Sequence, residues 1–194
     1  MPTTPSYTCF HAHHLLASGD QYTVALAAKR ALDQGQQAIL IFDDRSGRSI
    51  DFNLQGSVDE VLARYPKTAV APAPAVAPPR GRGRPKLGVV PREITLLPRH
   101  WDWLATQPGG ASVTLRKLVE QARRSQAGPD GIREAQERAY HFMSAMAGDL
   151  PQFEAASRAL FAQDQALLTT LTQPWPKDIQ AHIVRLNTPD DATD

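Results

Sequence analysis

The stretch Ala38-Ile39-Leu40-Ile41-Phe42-Asp43-Asp44-Arg45-Ser46-Gly47-Arg48-Ser49-Ile50-Asp51-Phe52-Asn53-Leu54 reads as two strands around a turn. Ala38–Phe42 is an apolar run of the length and residue types of a buried strand. Asp44-Arg45-Ser46-Gly47 has turn chemistry: a short polar side chain that bonds its own backbone, then a glycine. Ser49–Leu54 alternates apolar and polar, as a half-buried strand does. Upstream, Tyr7–His11 and Leu15–Ala17 are short strand candidates. Tyr22–Gln34 is a helix with Val24, Leu26, Ala27 and Leu32 as its apolar positions and Asp20 as a cap. Downstream, Ser57 and Glu60 form a capping box ahead of a short helix, Val58–Tyr65. Residues 1–65 are thus expected to form a small α+β domain.

Beyond Tyr65 the composition changes. Pro66–Pro79 is almost all proline and alanine, which favours an extended, semi-rigid chain without a packed core. Arg80-Gly81-Arg82-Gly83-Arg84-Pro85-Lys86 follows at once, making it a tethered basic arm. Glycine lets the backbone lie close to a narrow surface, and Pro85 keeps Arg84 out of helix. The net charge of +1 conceals a polarity along the chain. Residues 66–124 carry 11 basic and 3 acidic side chains, whereas residues 1–65 carry 5 and 7, and residues 125–194 carry 5 and 10. A basic block between acidic ones points to a polyanion partner, or to an internal electrostatic match.

Arg82-Gly83-Arg84-Pro85 resembles the core of an AT-hook, although Gly81 stands where that family has proline. The resemblance implies that Arg82 and Arg84 read the narrow A·T-rich minor groove, with Gly83 and Pro85 shaping the backbone. Arg80 and Lys86 would then touch phosphate.

Residues 89–125 read as strand Glu93–Leu97, helix Arg99–Thr106 opened by Pro98, a Pro108-Gly109-Gly110 break, and helix Ser112–Arg124. Val113, Leu115, Leu118, Val119 and Ala122 are the expected inward positions of the second helix. This order resembles a ribbon-helix-helix domain. That fold is an intertwined dimer whose paired strands enter the major groove, with the start of the second helix on phosphate. The resemblance implies roles for Thr95 on the groove side and for Ser112, Arg116 and Lys117 around the second helix. Glu93 and Leu97 would share the groove side with Thr95, and the first helix is about two residues shorter than in that family.

Residues 126–194 read as a helical region: Arg133–Met146, Gln152–Ala162, Asp164–Thr172 and Lys177–Leu186, then an acidic tail. Matches running from Phe42-Asp43-Asp44 and Ser46-Gly47-Arg48 through Gly83–Val90, Leu97–Trp101 and Gln107–Ser112 to Phe142–Asp149 resemble the bacterial domain-of-unknown-function family DUF2239. That resemblance implies no activity.

Catalytic readings are thin. Cys9, His11, His13 and His14 are ligand types for zinc, but no second ligand group with suitable spacing follows, and edge-strand residues are the simpler reading. Asp43, Asp44 and Asp51 could hold a divalent cation, but a hairpin turn explains them more simply. No phosphate loop, nucleophile elbow or dinucleotide fingerprint is present. One cysteine permits no internal disulfide, the polar Met1–Ser6 is read as no signal peptide, and no apolar run reaches the length of a membrane span. The expectation is a non-enzymatic, cofactor-free, cytoplasmic and nucleoid-associated homodimer that binds DNA, preferring A·T-rich duplex. The alternative is an adaptor whose basic arm docks an acidic protein surface.

Overall fold

The structure is a computed structural model that describes residues 6–67 and 90–189; the arm at 80–86 lies outside them. The chain divides into two compact units, Met1–Ala69 with Gly128–Asp194, and Val70–Ala127.

The first unit is mixed α+β. Its strands β1 (Tyr7–His11), β2 (His14–Gly19), β3 (Ile39–Asp43) and β4 (Arg48–Ile50) form one antiparallel sheet in the order β2-β1-β3-β4. Helix α1 (Gln21–Asp33) starts at Asp20, whose carboxylate accepts from the Thr23 amide at 2.9 Å. Helix α2 (Val58–Arg64) opens with the expected capping box. Its Glu60 carboxylate accepts from the Ser57 amide at 2.7 Å, which holds its pKa below the usual range.

The strand alternation decides what lies on each face. In β1 and β3, Cys9 pairs with Ile41 and both pack on Val24 and Ala28 of α1. Phe10 and Phe42 point to the opposite face and pack with Phe142, Met143, Ile179 and Ile183. Both faces of the central strands are therefore covered, which accounts for the unbroken apolar run at 39–42. The N-terminal sheet and the C-terminal helices share this core, so the division into a separate domain at 1–65 and a helical region at 126–194 gives way to one unit. The reason is the second apolar face of the sheet, which needs its own layer.

Two local readings shift. In α1 the buried residues are Val24, Ala25, Ala28 and Ala31, while Leu32 is exposed. Small side chains let the helix backbone sit close to the sheet. The strand expected over Ser49–Leu54 ends at Ile50. Phe52 and Leu54 still pack into the core, but the backbone of this segment is bonded by side chains. The Asn53 amide donates to the Tyr65 hydroxyl at 2.7 Å, and Arg64 donates to the Gln55 carbonyl at 2.6 Å. Alternation here reflects packing without pairing.

Helix α3 (Pro98–Ala105) lies in the second unit; α4 (Gly110–Met146) begins there and ends in the first. Helices α5 (Phe153–Phe161), α6 (Gln165–Thr172) and α7 (Lys177–Leu186) complete the first. The two helices expected at 112–124 and 133–146 are one, with Pro129 inside. An interior proline forfeits one backbone bond; an Arg133–Asp130 ion pair at 3.3 Å spans the turn that follows it. Residues 90–97 carry neither helix nor strand, so the expected strand Glu93–Leu97 finds no pairing partner among the described residues.

Candidate nucleic-acid interface

The second unit carries a cluster of charge on the first half of α4. Between Trp103 and Pro129 the sequence holds four cations, Arg116, Lys117, Arg123 and Arg124, and one carboxylate, Glu120. They stand at i−4, i−3, i+3 and i+4 from Glu120. At 100° per residue, all four fall within 60° of it on the helix surface. Glu120 Oε1 lies 3.3 Å from a terminal nitrogen of Arg123 and 3.3 Å from Nε of Arg124. Arg116 Nε donates to the Ser112 carbonyl at 3.1 Å, back along the first turn. Arg116 and Lys117 are exposed and form no ion pair among the described residues.

The same unit leaves apolar side chains open to solvent. Leu104 of α3 is buried, and Val113 and Leu115 of α4 are half-buried. Leu118, Val119 and Ala122, expected to face inward, are exposed. Val90, Ile94, Leu97, Trp101 and Trp103 are exposed as well. The described part of the unit offers α4 only the eight-residue α3 as a neighbouring helix, too little surface to cover a whole apolar face.

Of the sequence-derived contact residues, Arg80, Arg82, Gly83, Arg84, Pro85 and Lys86 lie outside the described residues. Thr95 is exposed in the irregular stretch before α3. Ser112, Arg116 and Lys117 lie within the first turns of α4. Arg123 and Arg124 belong to the same cluster, and the i±3, i±4 spacing about Glu120 is the sequence signal that points to them.

In the first unit the chemistry-bearing side chains serve the fold. Asp44 accepts from Ser6 Oγ at 2.7 Å and Thr8 Oγ1 at 2.8 Å, and pairs with Arg185 at 2.8 Å. Arg185 also donates to Thr8 Oγ1 at 2.6 Å, so β1, the turn after β3 and α7 share one polar knot. His182 sits beside it, 5% exposed and edge-on to Phe10 and Phe142. Arg185 can only donate, so His182 Nδ1 accepts from it and the proton resides on Nε2, 3.6 Å from Asp44. Burial, aided by the Arg185 charge, lowers the His182 pKa to about 4, against the opposing pull of Asp44. Asp43 accepts from the Arg45 amide and Ser46 hydroxyl, which makes it a turn residue. Cys9 is fully buried, and burial raises its pKa to about 11, the opposite of an activated thiolate.

A cleft of about 850 Å³ opens beside the knot, between the β3–β4 turn and α4. At its wall His141 donates from Nδ1 to the Ser46 carbonyl at 3.0 Å and accepts from Arg48 at 3.0 Å. Arg138 donates to the Leu186 carbonyl at 2.6 Å and to that of Thr188, capping the end of α7.

The correspondence with a known family extends over residues 6–187. The chain belongs to DUF2239, described as an uncharacterized protein conserved in bacteria. No curated protein and no solved structure matches it. No helix among the described residues is long and apolar enough to cross a membrane.

Proposed function

We propose that this DUF2239 protein is a DNA-binding protein of the bacterial nucleoid, a transcriptional regulator or a nucleoid-associated protein, acting as a homodimer. The observation that carries the reading is the exposed cluster of four cations on α4, in a unit whose sequence also contains the Arg80–Lys86 arm. A face of this kind gathers phosphates, because each contact releases condensed counterion. The arm adds preference for A·T-rich duplex through Arg82 and Arg84 in the minor groove.

The exposed apolar residues of the same unit support the dimer. Val119 is 64% exposed and Ile94 50% exposed, and Ile94 belongs to residues 90–97, which find no strand partner among the described residues. A second copy of that segment would pair with it across a two-fold axis, in the ribbon-helix-helix manner, and cover those side chains.

Fluorescence anisotropy on A·T-rich and G·C-rich duplexes tests the reading. Four helix cations offset by Glu120 leave a net of three contacts and a log–log salt slope of about −2.7, so affinity falls about fortyfold between about 50 and about 200 mM salt. A salt-insensitive complex, or none at low salt, refutes it. Light scattering should give twice the chain mass, and Val119→Asp should give the monomer without unfolding the protein. A wild-type monomer at micromolar concentration removes the dimer.

A further inference from the structure

The central acid of the α4 cluster has an arrangement that a helix-bracing ion pair does not need. One turn of helix in each direction from Glu120 supplies two cations, and the carboxylate engages Arg123 and Arg124 through a single oxygen. Exposed pairs of this kind contribute little to stability, so their effect on the fold is small. Their effect on a polyanion is larger. A phosphate approaching this face meets Glu120 at its centre, where the carboxylate repels it and already holds one donor of each of these two guanidinia. Glu120 thus occupies the place of the ligand's own charge.

We infer that Glu120 is an internal competitor for phosphate that sets the affinity and salt dependence of the α4 face. The inference rests on the DNA-binding reading above and names a residue that tunes that same surface. With Glu120 in place, sequence-independent attraction by the helix is held down, and discrimination falls to groups that read the groove. Without it, the one unit of positive charge that it cancels returns to the Arg123–Arg124 pair, which then offers phosphate one further contact beside Arg116 and Lys117.

The test compares the full-length wild type, Glu120→Gln and Asp102→Asn on one G·C-rich duplex over a salt series. Asp102→Asn removes one negative charge from α3 in the same unit and so controls for net charge. Glu120→Gln should bind about 3–10-fold tighter at low salt and steepen the slope by about one, the share of one added phosphate contact. Asp102→Asn should change the slope by less than half as much. If wild type binds and Glu120→Gln keeps its affinity and slope, or if Asp102→Asn matches it, the competitor role is overturned while DNA binding stands. A Glu120→Gln protein that melts lower with an unchanged slope assigns the pairs to helix support and also overturns it. If neither wild type nor variant binds at low salt, the DNA-binding reading falls and this inference falls with it.

Discussion

Gly47 offers a sharp test of how the β3–β4 turn is docked on α4. Its φ is +67°, in the left-handed region where an L side chain costs about 1–2 kcal/mol. A Cβ at this position would lie 1.8 Å from the Arg138 carbonyl oxygen, 2.6 Å from its carbon and 2.8 Å from its Cα. These are backbone atoms inside a helix, so no rotamer change relieves the overlap. Turn and helix would have to separate by more than an ångström, stretching the His141–Ser46 bond and loosening the layer under Phe42. Overpacking of this kind costs about 1–3 kcal/mol, and the lower entropy of the unfolded alanine chain returns about 0.4–1 kcal/mol. The net for Gly47→Ala is a loss of about 2–4 kcal/mol, or roughly 5–15 °C in Tm for a chain of this size. Gly35→Ala is the matched control: φ is +80°, but nothing lies within 4 Å of the added carbon. It should cost only the backbone component, about 1 kcal/mol. Urea and thermal unfolding followed by circular dichroism would measure both. If Gly47→Ala is no more destabilising than Gly35→Ala, the turn does not pack on α4 as described.

Phe142 joins sheet and helices, with its ring centroid 5.3 Å from that of Phe10 and 4.9 Å from that of Phe42. Phe142→Ala should cost about 3–5 kcal/mol in urea unfolding, and a cost below about 1 kcal/mol would mean that the sheet and C-terminal helices do not share a core. The His182 pKa is lowered in the fold to about 4 from an ordinary 6.5, so the unfolded chain binds more protons between those values. Its contribution is intact above about pH 6.5 and is lost as pH falls toward 4, on the order of 3 kcal/mol in total. His182→Leu should flatten that part of the stability–pH profile; an unchanged slope would assign it to other groups. Arg82→Ala with Arg84→Ala should abolish preference for A·T-rich duplex while leaving Tm unchanged, and a retained preference would place specificity outside the arm.

Local signals determined most of the elements in this chain. The capping box at Ser57 and Glu60, the cap at Asp20, the turn at Asp44–Gly47 and the span Lys177–Leu186 of α7 depend on residues within a few positions of one another, so they are legible one window at a time. The basic character of residues 66–124 is likewise a sum over sequence. Tertiary structure decided the rest. That Phe10 and Phe42 face Phe142 while Cys9 and Ile41 face α1 depends on which layer covers each side of the sheet, and residues over a hundred positions away supply one of them. Separation in sequence also hid the Asp44–Arg185–Thr8 knot and the reason Gly47 must be glycine, which is the backbone of Arg138, 91 positions further on. Leu32 and Val119 looked inward because periodicity reports which face of a helix is apolar. Whether that face is covered depends on the surface presented to it, and a helix pattern does not contain that surface.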